Sequence, residues 1–180
     1  GPGVSKLKVG DRVGIEPLHL IGCGECRWCR EGHYEACPKR GIVGGVRRHS
    51  SGFGELDVAP ETNCYLLPDE LSIEAASILD VCSCGVHAVH RVPVRPSYTV
   101  VVVGTGPIGL CVAEAYKALG AKQVIVIGRR DEILAQAQEI VADEVINNTK
   151  VDPVEAVKEL TDGEGANVVI EAVGGRAPTF

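Results

Sequence analysis

The sequence of 180 residues contains no methionine, not even at its first position. A chain without an initiator methionine is a processed product, an engineered one, or a piece of something longer. Long apolar runs are absent too. The most apolar stretch, around Thr99–Val103, is far shorter than the roughly 20 residues a membrane-spanning helix needs, so no membrane partner is expected. The N-terminal Gly1-Pro2-Gly3-Val4 lacks the charged, apolar and cleavage regions of a secretion signal. Basic charge is in short supply: 18 Lys and Arg face 24 Asp and Glu, for a net charge of -6. Nothing supplies the basic face that nucleic acid or an anionic membrane surface would require. Neither an internal repeat nor a low-complexity tract is found.

What the chain does have is cysteine. Of eight, four cluster as Cys23, Cys26, Cys29 and Cys37, with spacing C-x2-C-x2-C-x7-C. Zinc takes four soft or borderline ligands in a tetrahedron, and thiolates at this spacing in an irregular loop can supply all four corners. Gly22, Gly24 and Gly32 let the backbone turn tightly around an ion. A site filled by four sulfurs has no open position for water, so the zinc expected here is structural. Disulfides and an iron–sulfur cluster are the alternatives. Cys37-Pro38 has the ending of bacterial ferredoxin motifs, but those place three residues before the last cysteine, not seven. The clustering points to metal binding in a reducing, cytoplasmic compartment. The scattered Cys64, Cys82, Cys84 and Cys111 are expected to be small buried hydrophobes.

Texture divides the chain at the proline-rich Val92-Pro93-Val94-Arg95-Pro96. Residues 1–92 read as short β segments: a turn and strand over Val9 to Ile15, strands at Gly52 to Val58 and Asn63 to Leu67, then a helix capped by Ser72 and another over Ser83 to His90. Residues 93–180 alternate strand and helix. Strands are expected at Thr99–Val103, Gln123 to Ile127, Glu144–Asn147 and Val168 to Ala172. Helices are expected from Pro107 to Leu119, Glu132 to Ile140, and after the cap Asp152 with Pro153 at the first helical position. That order implies a parallel sheet with right-handed crossovers, part of a doubly wound Rossmann domain. With four of six strands, an exposed edge is expected.

Gly104-Thr105-Gly106-Pro107-Ile108-Gly109 follows the first of these strands and opens a helix. In that context G-x-G-x-x-G is a dinucleotide turn. Gly104 makes the turn, Gly106 lets a pyrophosphate approach, Gly109 lets the helix pack, and the N–H groups of Ile108 and Gly109 face the phosphates. An acid at the end of the next strand would read a ribose 2′-hydroxyl; Gly128 stands there, followed by Arg129 and Arg130. Guanidinium pairs well with a 2′-phosphate, so NADP is favoured over NAD, and Gly128→Asp is expected to erode or reverse that preference. The alternative leaves both arginines as solvated charges at a helix start.

Gly22-Cys-Gly-x-Cys-x-x-Cys with Cys37, Gly52-Phe-Gly-Glu55, Leu67-Pro-Asp-Glu-Leu-Ser72 and the glycine turn, in this order, resemble zinc-containing medium-chain alcohol and polyol dehydrogenases, the sorbitol and threonine branch most. The resemblance covers essentially the whole chain. It implies an α/β architecture: a partial, β-rich GroES-like catalytic domain over 1–92 with a structural zinc lobe at 22–38, then a partial Rossmann domain over 93–180. It also implies hydride transfer between an alcohol or polyol and a nicotinamide cofactor, with a second, catalytic zinc as Lewis acid, in a homo-oligomeric parent. Asp80 falls where that family places the third ligand of the catalytic zinc; many polyol-type members carry Glu-Pro there, and Asp80-Val81 departs from that. Asp80 could instead cap the following helix. His87 and His90 are expected as core or surface residues, and Cys84 as packing. The family's first catalytic cysteine and its Gly-His-Glu would lie ahead of Gly1, and its later Rossmann strands beyond Phe180. On its own the chain would then be an inactive module binding zinc and nucleotide.

Overall fold

The computed structural model describes residues 1, 3–16, 21–43, 46–47 and 53–174. The chain forms two compact units, Gly1–Ser77 and Ile78–Phe180.

In the first unit, β1 (Val13–Ile15) leads to the cysteine loop, which contains the single helical turn α1 (Arg27–Arg30) and a 3-10 turn at Tyr34–Ala36. The two-residue strands β2 (Ile42–Val43) and β3 (Val46–Arg47) pair antiparallel. A 3-10 turn at Glu61–Asn63 feeds β4 (Cys64–Leu66), which pairs antiparallel with β1, Gly14 opposite Tyr65. The short helix α2 (Ile73–Ala76) starts where Ser72 accepts a hydrogen bond from the Ala75 N–H at 3.0 Å. The strand expected over Gly52 to Val58 does not form. Gly52 lies outside the described residues, and Phe53–Val58 is irregular, with no partner strand among the described residues and with Phe53 and Leu56 almost fully exposed. Alternation alone cannot make a strand whose backbone groups meet no ladder.

The second unit begins with α3 (Leu79–Arg91), so the proline-rich stretch lies inside it. β5 (Thr99–Val103), α4 (Pro107–Ala118), β6 (Gln123–Gly128), α5 (Asp131–Ile140), β7 (Glu144–Asn147), α6 (Pro153–Glu159) and β8 (Val168–Glu171) then alternate. The four strands form one parallel sheet in the order β7-β6-β5-β8. Branched side chains favour the pleated conformation, and their period of two sorts them onto two faces. Val100, Val102, Val124 and Val126 point to one face and pack with Val112, Ala113 and Tyr116 of α4 and Leu134 and Ala137 of α5. Val101, Val103, Ile125 and Ile127, with Ile146 of β7, point to the other, against Val157 of α6. Helices on both faces make the sheet doubly wound.

α3 crosses α4 at very close range. A Cβ on Gly85 would lie 2.4 Å from the carbonyl oxygen of Cys111, so only glycine permits this approach. The fully buried Tyr116 hydroxyl donates to the Val92 carbonyl at 3.0 Å and ties the end of α3 to α4. Beside the crossing, Cys82 and Cys111 bring their Sγ atoms within 3.6 Å. The expectation that the scattered cysteines are buried is corrected: Cys64, Cys82 and Cys111 are half-buried and Cys84 is exposed.

Candidate functional site

Two sites emerge, one in each unit. The first is the cysteine loop. Cys26 caps α1, whose turn carries Cys29 inward, while Cys37 follows the 3-10 turn in extended backbone. Gly24 and Gly32 adopt φ of +77° and +82°, the left-handed region that glycine fills without strain. Gly22 serves differently: a Cβ there would stand 2.5 Å from Cys29 Sγ. The Gly41 N–H donates to the Ile21 carbonyl at 2.9 Å and closes the loop at its base.

All four Sγ atoms lie within 4.8 Å of one another, the only such group of three or more potential ligands among the described residues. Sulfurs around zinc at about 2.3 Å in a tetrahedron stand about 3.8 Å apart. The contacts of 4.0 Å from Cys23 to Cys29 and 3.5 Å from Cys26 to Cys29 bracket that separation. The donor set and its size therefore fit zinc. Cys29 and Cys37 are buried, Cys23 and Cys26 half-buried. Backbone N–H groups of Glu25 and Cys26 draw the Cys23 thiol down to about 6, whereas burial pushes Cys29 up to about 12. A divalent cation at the centre would neutralise all four thiolates, including the buried Cys29 and Cys37.

The second site is the turn from β5 into α4. β8 pairs with β5 on the side opposite β6, so the order of strands reverses at β5, and the turn sits at that switch point. Gly104 has φ +122°, its N–H donates to the Ile127 carbonyl at 2.8 Å, and a Cβ on it would meet the backbone of Ala172 at 3.0 Å. Gly109 is packed harder: its Cβ would lie 2.1 Å from the Gly104 carbonyl oxygen. Gly106, by contrast, has nothing within 4 Å of where its Cβ would be. Two glycines are thus required by the fold, and the third faces open space at the start of α4. Gly106 caps that helix with no side chain and Pro107 follows, which leaves the N–H groups of Ile108 and Gly109 free of intrahelical partners. Open space in front of free N–H groups at a helix N-terminus fits a pyrophosphate.

Beside this turn, β6 ends at the buried Gly128, and the exposed Arg129 and Arg130 follow, Arg130 capping α5 in extended backbone. Among the described residues no carboxylate pairs with either guanidinium. Asp131, the next acid, is engaged by Lys150 at 2.7 Å and by the Asn147 side-chain amide at 2.8 Å, and these partners hold its carboxyl below the usual range.

Asp80 lies exposed in the first turn of α3. The helix starts at Leu79 rather than Ser83, so Asp80 is inside it, and no side-chain cap is made there. The capping alternative therefore fails. His87 and His90 are exposed on α3. What the sequence did not reveal is Thr105. It half-buries its side chain against Gly128, and only the register of β5 with β6 brings the two together.

No helix among the described residues is long and apolar enough to cross a membrane. Residues 1–69 match the alcohol dehydrogenase GroES-like domain, and residues 107–180 match the zinc-binding dehydrogenase family. The chain is 34% identical over 177 residues to a sorbitol dehydrogenase of Bacillus subtilis, covering 98% of this chain and 49% of that protein. An Escherichia coli alcohol dehydrogenase crystallised with NADH superposes with TM-score 0.84 at 31% identity, over 97% of this chain and 50% of that one. A protein from Sinorhizobium meliloti bound to NADP superposes with TM-score 0.85 at 27% identity, over 97% and 51%. The chain spans about half the length of the curated relatives it matches. With a four-thiol loop in a GroES-like region, followed by a glycine turn at the switch point of a parallel sheet, the chain belongs to the zinc-containing medium-chain alcohol and polyol dehydrogenase family.

Proposed function

We propose that the whole protein is a zinc-dependent oxidoreductase that moves a hydride between an alcohol or polyol and a nicotinamide cofactor, with NADP preferred to NAD. The observation that carries this reading is the open space at Gly106, set at the switch point, with the exposed Arg129 and Arg130 following the neighbouring strand and no carboxylate paired with either among the described residues. Gly104, Gly106 and Gly109 would shape the turn around the pyrophosphate, and the Ile108 and Gly109 N–H groups would donate to it. Arg129 and Arg130 would offer N–H donors to a 2′-phosphate, and Gly128 withholds the carboxylate that would repel one. The cofactor itself supplies the hydride acceptor or donor. Cys23, Cys26, Cys29 and Cys37 would hold a structural zinc with no corner open to substrate, which keeps it out of the chemistry. The exposed Asp80 carboxylate, free of hydrogen bonds among the described residues, would be one ligand of a separate zinc that binds the alcohol oxygen. Because four adjacent thiols hold zinc only while reduced, the cytoplasm is the proposed compartment.

Steady-state kinetics of the full-length gene product with NAD, NADP and a panel of alcohols and polyols tests this. One charge-assisted hydrogen bond contributes about 1.5–3 kcal/mol, so kcat/KM should favour NADP by roughly one to two orders of magnitude. Equal or better efficiency with NAD would remove the role given to the arginines. Tight zinc and nucleotide binding without turnover would instead make the protein a binding module.

A further inference from the structure

We propose that Thr105 is a specificity-determining residue of the nucleotide site: its side chain fills the space that a carboxylate at position 128 would have to enter, so cofactor choice is set by the Thr105–Gly128 pair. The inference rests on the assignment of the glycine turn as that site.

The glycine turn and the end of β6 are locked together. β5 and β6 pair in parallel up to Val103 opposite Ile127, and the Gly104 N–H bonds the Ile127 carbonyl one step further on. Thr105 is therefore held beside Gly128 by backbone it cannot leave. A Cβ on Gly128 would stand 2.6 Å from Thr105 Cγ2, 3.3 Å from Thr105 Oγ1 and 3.1 Å from Leu134 Cδ2. Leu134 is buried in the packed face beneath α5 and has no room to withdraw. Thr105 is branched at Cβ, and both heavy branches face Gly128. Rotation to either other staggered position turns the hydrogen to that side but leaves one heavy branch there. Every staggered rotamer of Thr105 therefore keeps at least one heavy branch on the Gly128 side.

The consequence concerns a substitution that position 128 alone would recommend. An aspartate there would place the carboxylate that reads a 2′-hydroxyl. In this chain it would arrive against a threonine. Its carboxyl would be displaced from the ribose, or the turn that cradles the pyrophosphate would shift with Thr105. Either way the 2′-phosphate is repelled and the 2′-hydroxyl gains no partner. Removing the Thr105 branches opens the space without touching Gly104, Gly106 or Gly109.

The test is a cycle of wild type, Thr105→Ala, Gly128→Asp and the double variant, read in two ways. Thermal unfolding needs no ligand. Gly128→Asp should lower the midpoint, Thr105→Ala should change it little, and the double variant should recover most of the loss. Calorimetry with NAD and NADP gives the second readout. Gly128→Asp alone should lose NADP binding without gaining NAD binding, and the double variant should bind NAD about tenfold more tightly than Gly128→Asp, equivalent to about 1.4 kcal/mol of coupling. Additive effects in both readouts, or full NAD binding by Gly128→Asp alone, would overturn the pair. A wild-type chain that binds neither nucleotide, yet shows the coupling in unfolding, would overturn the nucleotide-site assignment while leaving the steric pair in place.

Discussion

The two units are held together by opposite means. In the second, the two central strands β5 and β6 bury their valines and isoleucines on both faces; Val100, Val102, Val124, Ile125 and Val126 are wholly inaccessible to water. In the first, the only buried apolar residues among those described are Cys29 and Cys37. Large side chains such as Phe53, Leu56 and Val58 stand exposed there. One region folds by removing aliphatic surface from water, the other by local hydrogen bonds and by four thiols directed at one point. The contrast predicts that the order of the first unit depends on a metal and that of the second does not.

Metal removal is the strongest way to break this comparison. A structural zinc–thiolate site corresponds to about 10–16 kcal/mol of apparent binding free energy at neutral pH, as much as the net stability of an ordinary domain. The 180-residue chain should hold one tightly bound zinc. Chelation, or Cys26→Ser, should abolish amide-exchange protection between Ile21 and Gly41 while β5 and β6 keep theirs. Elemental analysis and exchange mass spectrometry check both points. Simultaneous loss in both regions would erase the contrast, and iron or a second tightly held zinc would refute the assignment.

Within the sheet unit the glycines offer a sharper division. Gly109→Ala drives a methyl onto the Gly104 carbonyl, and Gly85→Ala drives one onto the Cys111 carbonyl. Backbone cannot retreat as a side chain can, so each should cost about 1–3 kcal/mol or more. That lowers the unfolding midpoint by roughly 4–8 °C per kcal/mol for a unit of this size. Gly106→Ala meets open space and should leave the midpoint within a few degrees while weakening NADP binding. A smaller effect is expected at Asp152, whose carboxylate accepts from the Val154 and Glu155 N–H groups at 2.8 and 3.2 Å. Asp152→Ala should cost about 0.5–2 kcal/mol, read in the same thermal unfolding.

The difference between the units also explains what could be read from sequence. The β5 valine run, the Asp152-Pro153 cap and the spacing of the four cysteines each carry a local physical signal, and all three elements form where that signal puts them. The segment after Gly52 finds no partner strand among the described residues, and Phe53–Val58 forms no strand. The expected helix over Ser83 to His90 runs instead from Leu79 to Arg91, one turn further toward the N-terminus. Thr105 was invisible for a different reason. Its role depends on a cross-strand neighbour more than twenty positions away, and nothing in the local sequence announces that pairing.

The smallest expected effect lies in the first unit, where hydrogen bonds replace burial. Glu61 Oε1 accepts from the N–H groups of Ser5, Lys6 and Leu7, at 2.9 Å from Ser5 and 3.0 Å from Leu7, so one carboxylate fastens the N-terminal segment. The Lys6 N–H is the main cause that lowers the Glu61 pKa; the Ser5 and Leu7 N–H groups and the Lys6 charge add to it. A carboxyl with a depressed folded-state pKa stabilises the fold above its unfolded pKa, about 4.3. The contribution is lost as pH falls through the folded-state value. Exchange protection of the Ser5, Lys6 and Leu7 amides should therefore be flat from pH 7 to 5 and decline below 4. Glu61→Gln at pH 7 tests the same charge without acidifying the rest of the protein. It keeps an acceptor oxygen, removes the charge, and should reduce protection at these three amides with no change between Ile21 and Gly41. Unchanged protection in Glu61→Gln would mean that the carboxylate's charge contributes nothing to holding the segment.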